Sequence, residues 1–459
     1  MIAKKFFRPD LGKLVQTRSA VIAATDNPYK DPNWILCVWL VLDGKLDFEQ
    51  FRVNFYNNIV LKKIRNGQLH SPEYQQYFSK WLGFMFWKWE EKFDIKDHMR
   101  YIFPDDIDAT INEEDLRQLI KQLAWKPFQD KKSPWEFLFV PNYKENGKDY
   151  PDKSVLFLRV HHGFCDGFAI LNLLLKEVNN ISMANVAKPA RIQKNFLIKS
   201  LETVLFWLMC PYMFMKMLVR TVDTNEWHLP SQKLIRPLNT GFTDRIPLSY
   251  IKEIKNIHNV SFSAVIYASL TGALRNMMLE MGKKVPSYMS TAVAVPMPGH
   301  PEKLRNHFIF SFLQLPIGIE NPIDCLQKVE RNLTRLKRSP VPLFNFGLIP
   351  LLGGTFASTM KLFSANKYST LLTSNFPGPP ATTYFIGGGG SNRVTDMNFA
   401  AGLGEGDVGI GFCMMSYDEG MRIITSFDTN ILSSDQMVDL FNKKIIEQME
   451  IFRLNRNCV

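Results

Sequence analysis

Ser154–Val160 reads SVLFLRV, an apolar run that ends on HHGFCDG and passes at once into FAILNLLLKEVNN. Apolar residues at successive positions predict a buried strand, and the segment after Gly167 predicts a helix. Strand, short loop and helix in direct succession are a building unit of an α/β chain, with the loop held at the edge of a rigid element.

The same rhythm extends in both directions. WILCVWLVL (Trp34–Leu42) predicts a buried strand, followed by a helix over 47–58. INEEDLRQLIKQLA predicts a helix over 112–124, with Asn112 as cap and Asp115 three residues on. A further strand is expected over 135–140. From about Ala187 to Arg236 the alternation stops, and this stretch reads as a crossover. It then restarts: a helix over 263–282, strands over 288–295 and 308–317, a helix over 322–338, strands over 371–375, 408–416 and 421–427, and a closing helix over 434–452. With 459 residues, too many for one ordinary core, the expectation is an α/β (α+β) fold in two halves, 1–186 and 241–459, joined by a linker at 187–240.

HHGFCDG carries the chemistry. Two His, an Asp and a Gly at these positions should recur by chance on the order of once per million positions, so the string is a specific signal. His162 fits a general base, because an imidazole titrates near neutrality and can take a hydroxyl proton as the oxygen attacks a carbonyl. His161 stands beside it. Asp166 either holds the imidazole tautomer or turns away to pin the loop through a basic partner such as Arg159. Gly163 and Gly167 allow a close-folded backbone around the histidines. Taken singly, the histidines would be structural and Asp166 a helix cap. Cys165, alone among apolar neighbours, reads as a small core residue rather than a nucleophile.

Around this motif the chain resembles the wax ester synthase/diacylglycerol acyltransferase family, whose members carry HHxxxDG. KPFQDKKSPWEFLF is similar to its PL…PLW region at Pro127, Pro134 and Trp135; LRNHFIFSFLQLPIGIENPIDCL resembles its second-half signature, with Asn306 on a family asparagine; and TSNFPGPP resembles SNVPGP. One departure stands out. Where the family has an Asn–Asp pair opening a helix, this chain has Ser263 and Ala264, with Ser263 as the expected cap. The resemblance implies two chloramphenicol acetyltransferase-like halves flanking a tunnel, a long-chain acyl-CoA cosubstrate with no bound cofactor or metal, and a fatty alcohol or diacylglycerol acceptor. It also implies direct transfer without an acyl-enzyme. Thr373, Ser374 and Asn375 become candidates, with Asn306, for stabilising the oxyanion or lining the tunnel. A soluble acyltransferase for a polar alcohol or amine, and a non-catalytic lipid-binding protein, are the alternatives.

Charge and composition bear on partners. A net charge of +11 without zinc-finger spacing or an RNA-binding signature favours an anionic cosubstrate or membrane over nucleic acid. Six scattered cysteines predict no disulfide. MIAKKFFRPDLGKL has no secretory apolar run, so a cytosolic orientation is expected, at the endoplasmic reticulum or a lipid droplet, with the plasma membrane as the alternative. VLFWLMCPYMFM (Val204–Met215), flanked by Lys194, Lys199, Lys216 and Arg220, is too short to span and suggests shallow insertion. The uncharged stretch 339–360, broken by Pro and Gly, suits a tunnel lining. FMFWKW (Phe84–Trp89) reads as a core segment or a lipid contact.

Overall fold

A computed structural model describes residues 2–181, 222–301, 303–353 and 355–455, with scattered positions between 204 and 219. Two mixed seven-stranded sheets dominate, beside a small three-stranded one. In the first large sheet Ile35–Asp43 lies between Lys153–His161 and Asn392–Ala401, antiparallel to both, and Trp135–Tyr143 follows on the far side of Lys153–His161. ILCVWLVL is buried on both faces, which is why its apolar residues do not alternate with polar ones. The helix Phe48–Phe55 closes one face, its Phe48, Phe51 and Phe55 rings interlocked with Phe137 and Phe139.

The second sheet runs Ile246–Pro247, Gly420–Phe427, Ile410–Tyr417, Leu371–Pro377, Met289–Pro296, Phe308–Leu315, with Asn239–Phe242 paired to Gly420–Phe427. Its core is the helix Phe262–Glu280, apolar on nearly every side, against the closing helix Asp435–Leu454. Two elements match expectation closely: Glu113–Leu123 begins in a capping box between Asn112 and Asp115, and Pro322–Arg338 has the expected limits.

Two expectations are corrected, and a third, the core reading of FMFWKW, holds. Residues 384–401, assigned by the sequence to the second half, cross over: Asn392–Ala401 is a central strand of the first sheet and Tyr384–Phe385 pairs with it. The helix at 262 is capped by Ser261, whose hydroxyl accepts the Ala264 N–H, so Ser263 lies inside the first turn; Ala264 is fully buried, where a family carboxylate would meet apolar core. FMFWKW is a strand of the three-stranded sheet with Met85, Phe86 and Trp87 buried. Of the Val204–Met215 segment and its flanks, residues 182–203, 205–207, 210, 214, 217–218 and 220–221 lie outside the described residues.

Candidate active site

The strand Lys153–His161 ends at the first histidine, and the two imidazoles then turn opposite ways. His161 goes into the core, fully buried. Its Nδ1 accepts the Gly163 N–H at 3.1 Å, so Nε2 carries the proton and donates it to Asp26 Oδ2 at 3.0 Å. Asp26 also accepts backbone N–H groups of Asn27, Asn33 and Trp34 at 2.8–2.9 Å. Burial raises the Asp26 pKa, but the His161 bond and the backbone donors outweigh it and hold the carboxyl below its ordinary range. His161 is thus committed to the scaffold rather than the cavity.

His162 lines a cavity of about 310 Å³ between the two sheets. Its backbone N–H donates to Trp34 O at 2.6 Å, and its ring sits against Trp34 and Phe308, centroids 5.9 and 4.8 Å away. Nδ1 faces Asn306 Oδ1 at 2.9 Å. The Asn306 amide cannot be turned over, because its nitrogen already donates to the His162 carbonyl at 2.6 Å and to Ser19 Oγ at 3.0 Å. A carbonyl oxygen must face Nδ1, so Nδ1 is protonated and Nε2 keeps its lone pair. Burial, partly offset by the Asp166 charge, pulls the imidazole pKa below its usual value, so the ring is neutral at pH 7. Asn306 is therefore the residue that sets the His162 tautomer, and it does not line the cavity.

Asp166 does line the cavity, and of the two sequence expectations the second holds in part: it turns away to pin the loop, through His300 rather than Arg159. It does not orient His162, and Arg159 is spent on Glu136 and on the Leu123 carbonyl at 2.7 Å. Asp166 instead caps Gly167–Leu171 through the Ala169 N–H at 2.9 Å and takes His300 Nε2 at 3.2 Å and the His307 N–H at 2.7 Å. Burial opposes the charged form, but these donors keep its pKa lowered. The carboxylate fastens the motif to the loop 297–307 of the second sheet. His300 and His307 themselves line the cavity. The sequence reading missed both, along with Asp26; the only signals were isolated His residues in PGHPEKLRNHF and a turn-rich DNPYKDPN.

Gly163 and Gly167 differ. A Cβ on Gly163 would lie 2.9 Å from Ala23 Cβ and 3.1 Å from Ala23 N, so no side chain fits; on Gly167 it would rest 3.5 Å from Phe376, at ordinary contact. Ser374 and Asn375 line the cavity on Leu371–Pro377. Thr373 does not: fully buried, its hydroxyl meets Tyr267 Oη at 3.0 Å and Thr291 Oγ1 at 3.1 Å. The Cys165 thiol is buried and pushed well up in pKa by desolvation, an inert group. Among the described residues none of 339–360 lines the cavity, although Phe346 stacks edge-on to His307 at 4.9 Å. Among the described residues no cluster of His, Cys, Asp or Glu could hold a metal.

Residues 304–448 match the WS/DGAT C-terminal domain, a span that contains Asn306, Ser374 and Asn375 and begins downstream of the histidine motif. A protein named as a candidate diacylglycerol O-acyltransferase from Mycobacterium tuberculosis is 23% identical over 361 residues, 72% of this chain and 69% of its own length. The wax ester synthase/diacylglycerol acyltransferase of Marinobacter aquaeolei VT8 superposes with TM-score 0.61 at 14% identity, covering 96% of this chain and all of that one. A trichothecene 15-O-acetyltransferase from Fusarium sporotrichioides gives 0.64 at 10% identity, over 96% and 95%. These two structural likenesses carry the fold, and the sequence matches carry a WS/DGAT C-terminal domain over residues 304–448 and, beyond it, a likeness to diacylglycerol O-acyltransferases.

Proposed function

We propose that the protein moves a long-chain acyl group from acyl-CoA to the hydroxyl of a fatty alcohol or diacylglycerol, with His162 Nε2 as general base. The observation that carries this is the locked Nδ1–H tautomer, which leaves a neutral base with its lone pair in an apolar cavity. Nε2 takes the acceptor's proton as its oxygen attacks the thioester carbonyl. The Ser374 hydroxyl and Asn375 amide, which line the same cavity, serve as donors to the tetrahedral oxyanion, and its collapse expels the CoA thiolate, which recovers the proton from the imidazolium. One displacement suffices, and no acyl-enzyme forms. Asp166, Asn306 and His161 act by positioning.

A lipid acceptor also accounts for the crossover segment. Val204, Leu208, Tyr212, Met215 and Val219 recur at helical spacing and are exposed, with Lys216 Nζ 5.7 Å from the Tyr212 ring. We read this as a stripe that rests on the cytosolic leaflet of the endoplasmic reticulum or on a lipid droplet. The deciding assay incubates labelled palmitoyl-CoA with fatty alcohols, diacylglycerol, sterol and a water-soluble alcohol. Labelled wax ester or triacylglycerol is expected; label in the water-soluble ester alone would sink the proposal in favour of a polar acceptor.

A further inference from the structure

No Asp or Glu occurs between Glu330 and Asp396, a stretch that carries the exposed Arg335, Lys337 and Arg338. Within it the helix Val341–Gly353, VPLFNFGLIPLLG, has no charged residue on any side. Such a helix has no polar face to give to water and belongs in a core or in lipid. This one is in no core. Its inner side packs on Thr17–Thr25 and Phe308–Leu315, while Leu343 is 57% exposed and Phe344, Leu348 and Ile349 are only half-buried.

The chain leaves this helix through Phe356, also 57% exposed, which lies on a hairpin tip: its ring is 5.3 Å from Phe84, and the next N–H, of Ala357, donates to Gly83 O at 2.8 Å. The tip is a two-residue turn, Leu82–Gly83, with φ of +49° and +80°, between Gln76–Trp81 and Phe84–Trp89. Asn-Gly suits such a turn, since both positions need φ > 0. Leu82 is there instead, backbone-strained and 63% exposed beside the exposed Lys80. Apolar tips, an all-apolar helix and the exposed cations Arg335, Lys337 and Arg338 just ahead of it form a surface complementary to an anionic bilayer. Two copies of this face would set their cationic rims against each other. With 13 residues, Val341–Gly353 is too short to cross a bilayer, so this face would rest on lipid rather than span it.

We propose that Leu82, Phe356 and the outer side of Val341–Gly353 dock on an anionic phospholipid surface. Because Phe346 touches His307, a cavity-lining residue, docking brings the His300–His307 wall next to the bilayer, where a dissolved acceptor enters. This last step rests on the lipid-acceptor reading; the docking itself does not.

The test is cosedimentation of the full chain with phosphatidylcholine vesicles with and without about 30 mol% phosphatidylglycerol, comparing wild type with Leu82→Asn/Phe356→Ser. Asn suits the turn, so folding is retained. Wild type should bind the anionic vesicles in a salt-sensitive way, and the double variant about tenfold more weakly. Turnover of a short-chain acyl-CoA with a soluble alcohol should not change, while KM for a vesicle-embedded acceptor rises. Equal vesicle binding by both proteins would overturn the proposal, as would a wild-type dimer in solution that Leu82→Asn converts to monomer, since the face would then join two copies. If no acceptor is acylated at all, the functional reading fails while the vesicle result still decides the docking.

Discussion

The core side and the cavity side of HHGFCDG place two adjacent histidines in opposite tautomers. On the core side a carboxylate, Asp26, receives the His161 Nε2 proton and is itself saturated by backbone donors. On the cavity side a neutral amide, Asn306, receives the His162 Nδ1 proton. A charged partner locks a ring into the scaffold; a neutral one orients it without stabilising its cation, so a lone pair remains for chemistry. The difference can be broken from either side.

The largest effect belongs to the cavity side. His162→Ala should lower kcat by about 10² to 10⁴, the usual worth of a general base, with the melting temperature nearly unchanged. A melting shift comparable to that of a core variant, or retained turnover, would return His162 to the scaffold alongside His161.

Asp26→Asn tests the core side and should reverse the pattern. Losing the carboxylate from a buried, fully bonded site should cost about 2–3 kcal/mol of stability at pH 7. The sign follows from the lowered Asp26 pKa: its stabilisation is present above the ordinary carboxylate range and disappears as pH falls through the depressed folded value. Denaturant curves of wild type and variant should therefore converge below about pH 4.

How much of this was visible in the amino-acid string depended on whether the information was local. Strand ends, the Asn112 capping box and the limits of Pro322–Arg338 follow from periodicity and caps, and the motif placed His162 correctly at a strand end. Partners distant in sequence were not legible. Asp26 lies 135 residues from His161, and Asn306 lies 144 from His162. The crossing of Asn392–Ala401 is a choice of partner strand that its own composition does not encode. Thr373 and Asn375 look alike as strand-end polar residues; only packing shows that one is tied to Tyr267 and the other faces the cavity. Ser261 and Ser263 are both credible caps two positions apart, and the Glu330 carboxylate bonded to Ser261 favours the first.

Asn306 is where the two sides could be made alike. Asn306→Leu should reduce kcat by about 10- to 100-fold, since the imidazole loses its tautomer restraint while Nε2 survives. Asn306→Asp copies the core arrangement onto His162. Burial holds the wild-type His162 pKa below the ordinary imidazole value, so wild-type kcat should be flat through neutrality and fall only as pH drops through that lowered pKa. A carboxylate at 306 favours the imidazolium, and the acid limb should move up by about one unit or more, leaving the variant slow at pH 7 and partly restored at higher pH. A uniform loss with no pH shift would mean that Asn306 matters for packing alone.

The two glycines repeat the contrast at its smallest scale. Gly163 faces the core, where a Cβ would press on the Ala23 backbone, and Gly163→Ala should cost about 1–3 kcal/mol of stability. Gly167 faces the cavity, at the first position of a helix capped by Asp166, where a methyl group reaches only ordinary contact with Phe376. Gly167→Ala should leave stability within about 0.5 kcal/mol of wild type and register only as substrate preference. The methyl takes room from the cavity, so kcat/KM for the bulkiest acceptor should fall by less than about tenfold and that for the slimmest should stay put. Equal losses for both acceptors would mean that the loop, rather than the cavity wall, had moved.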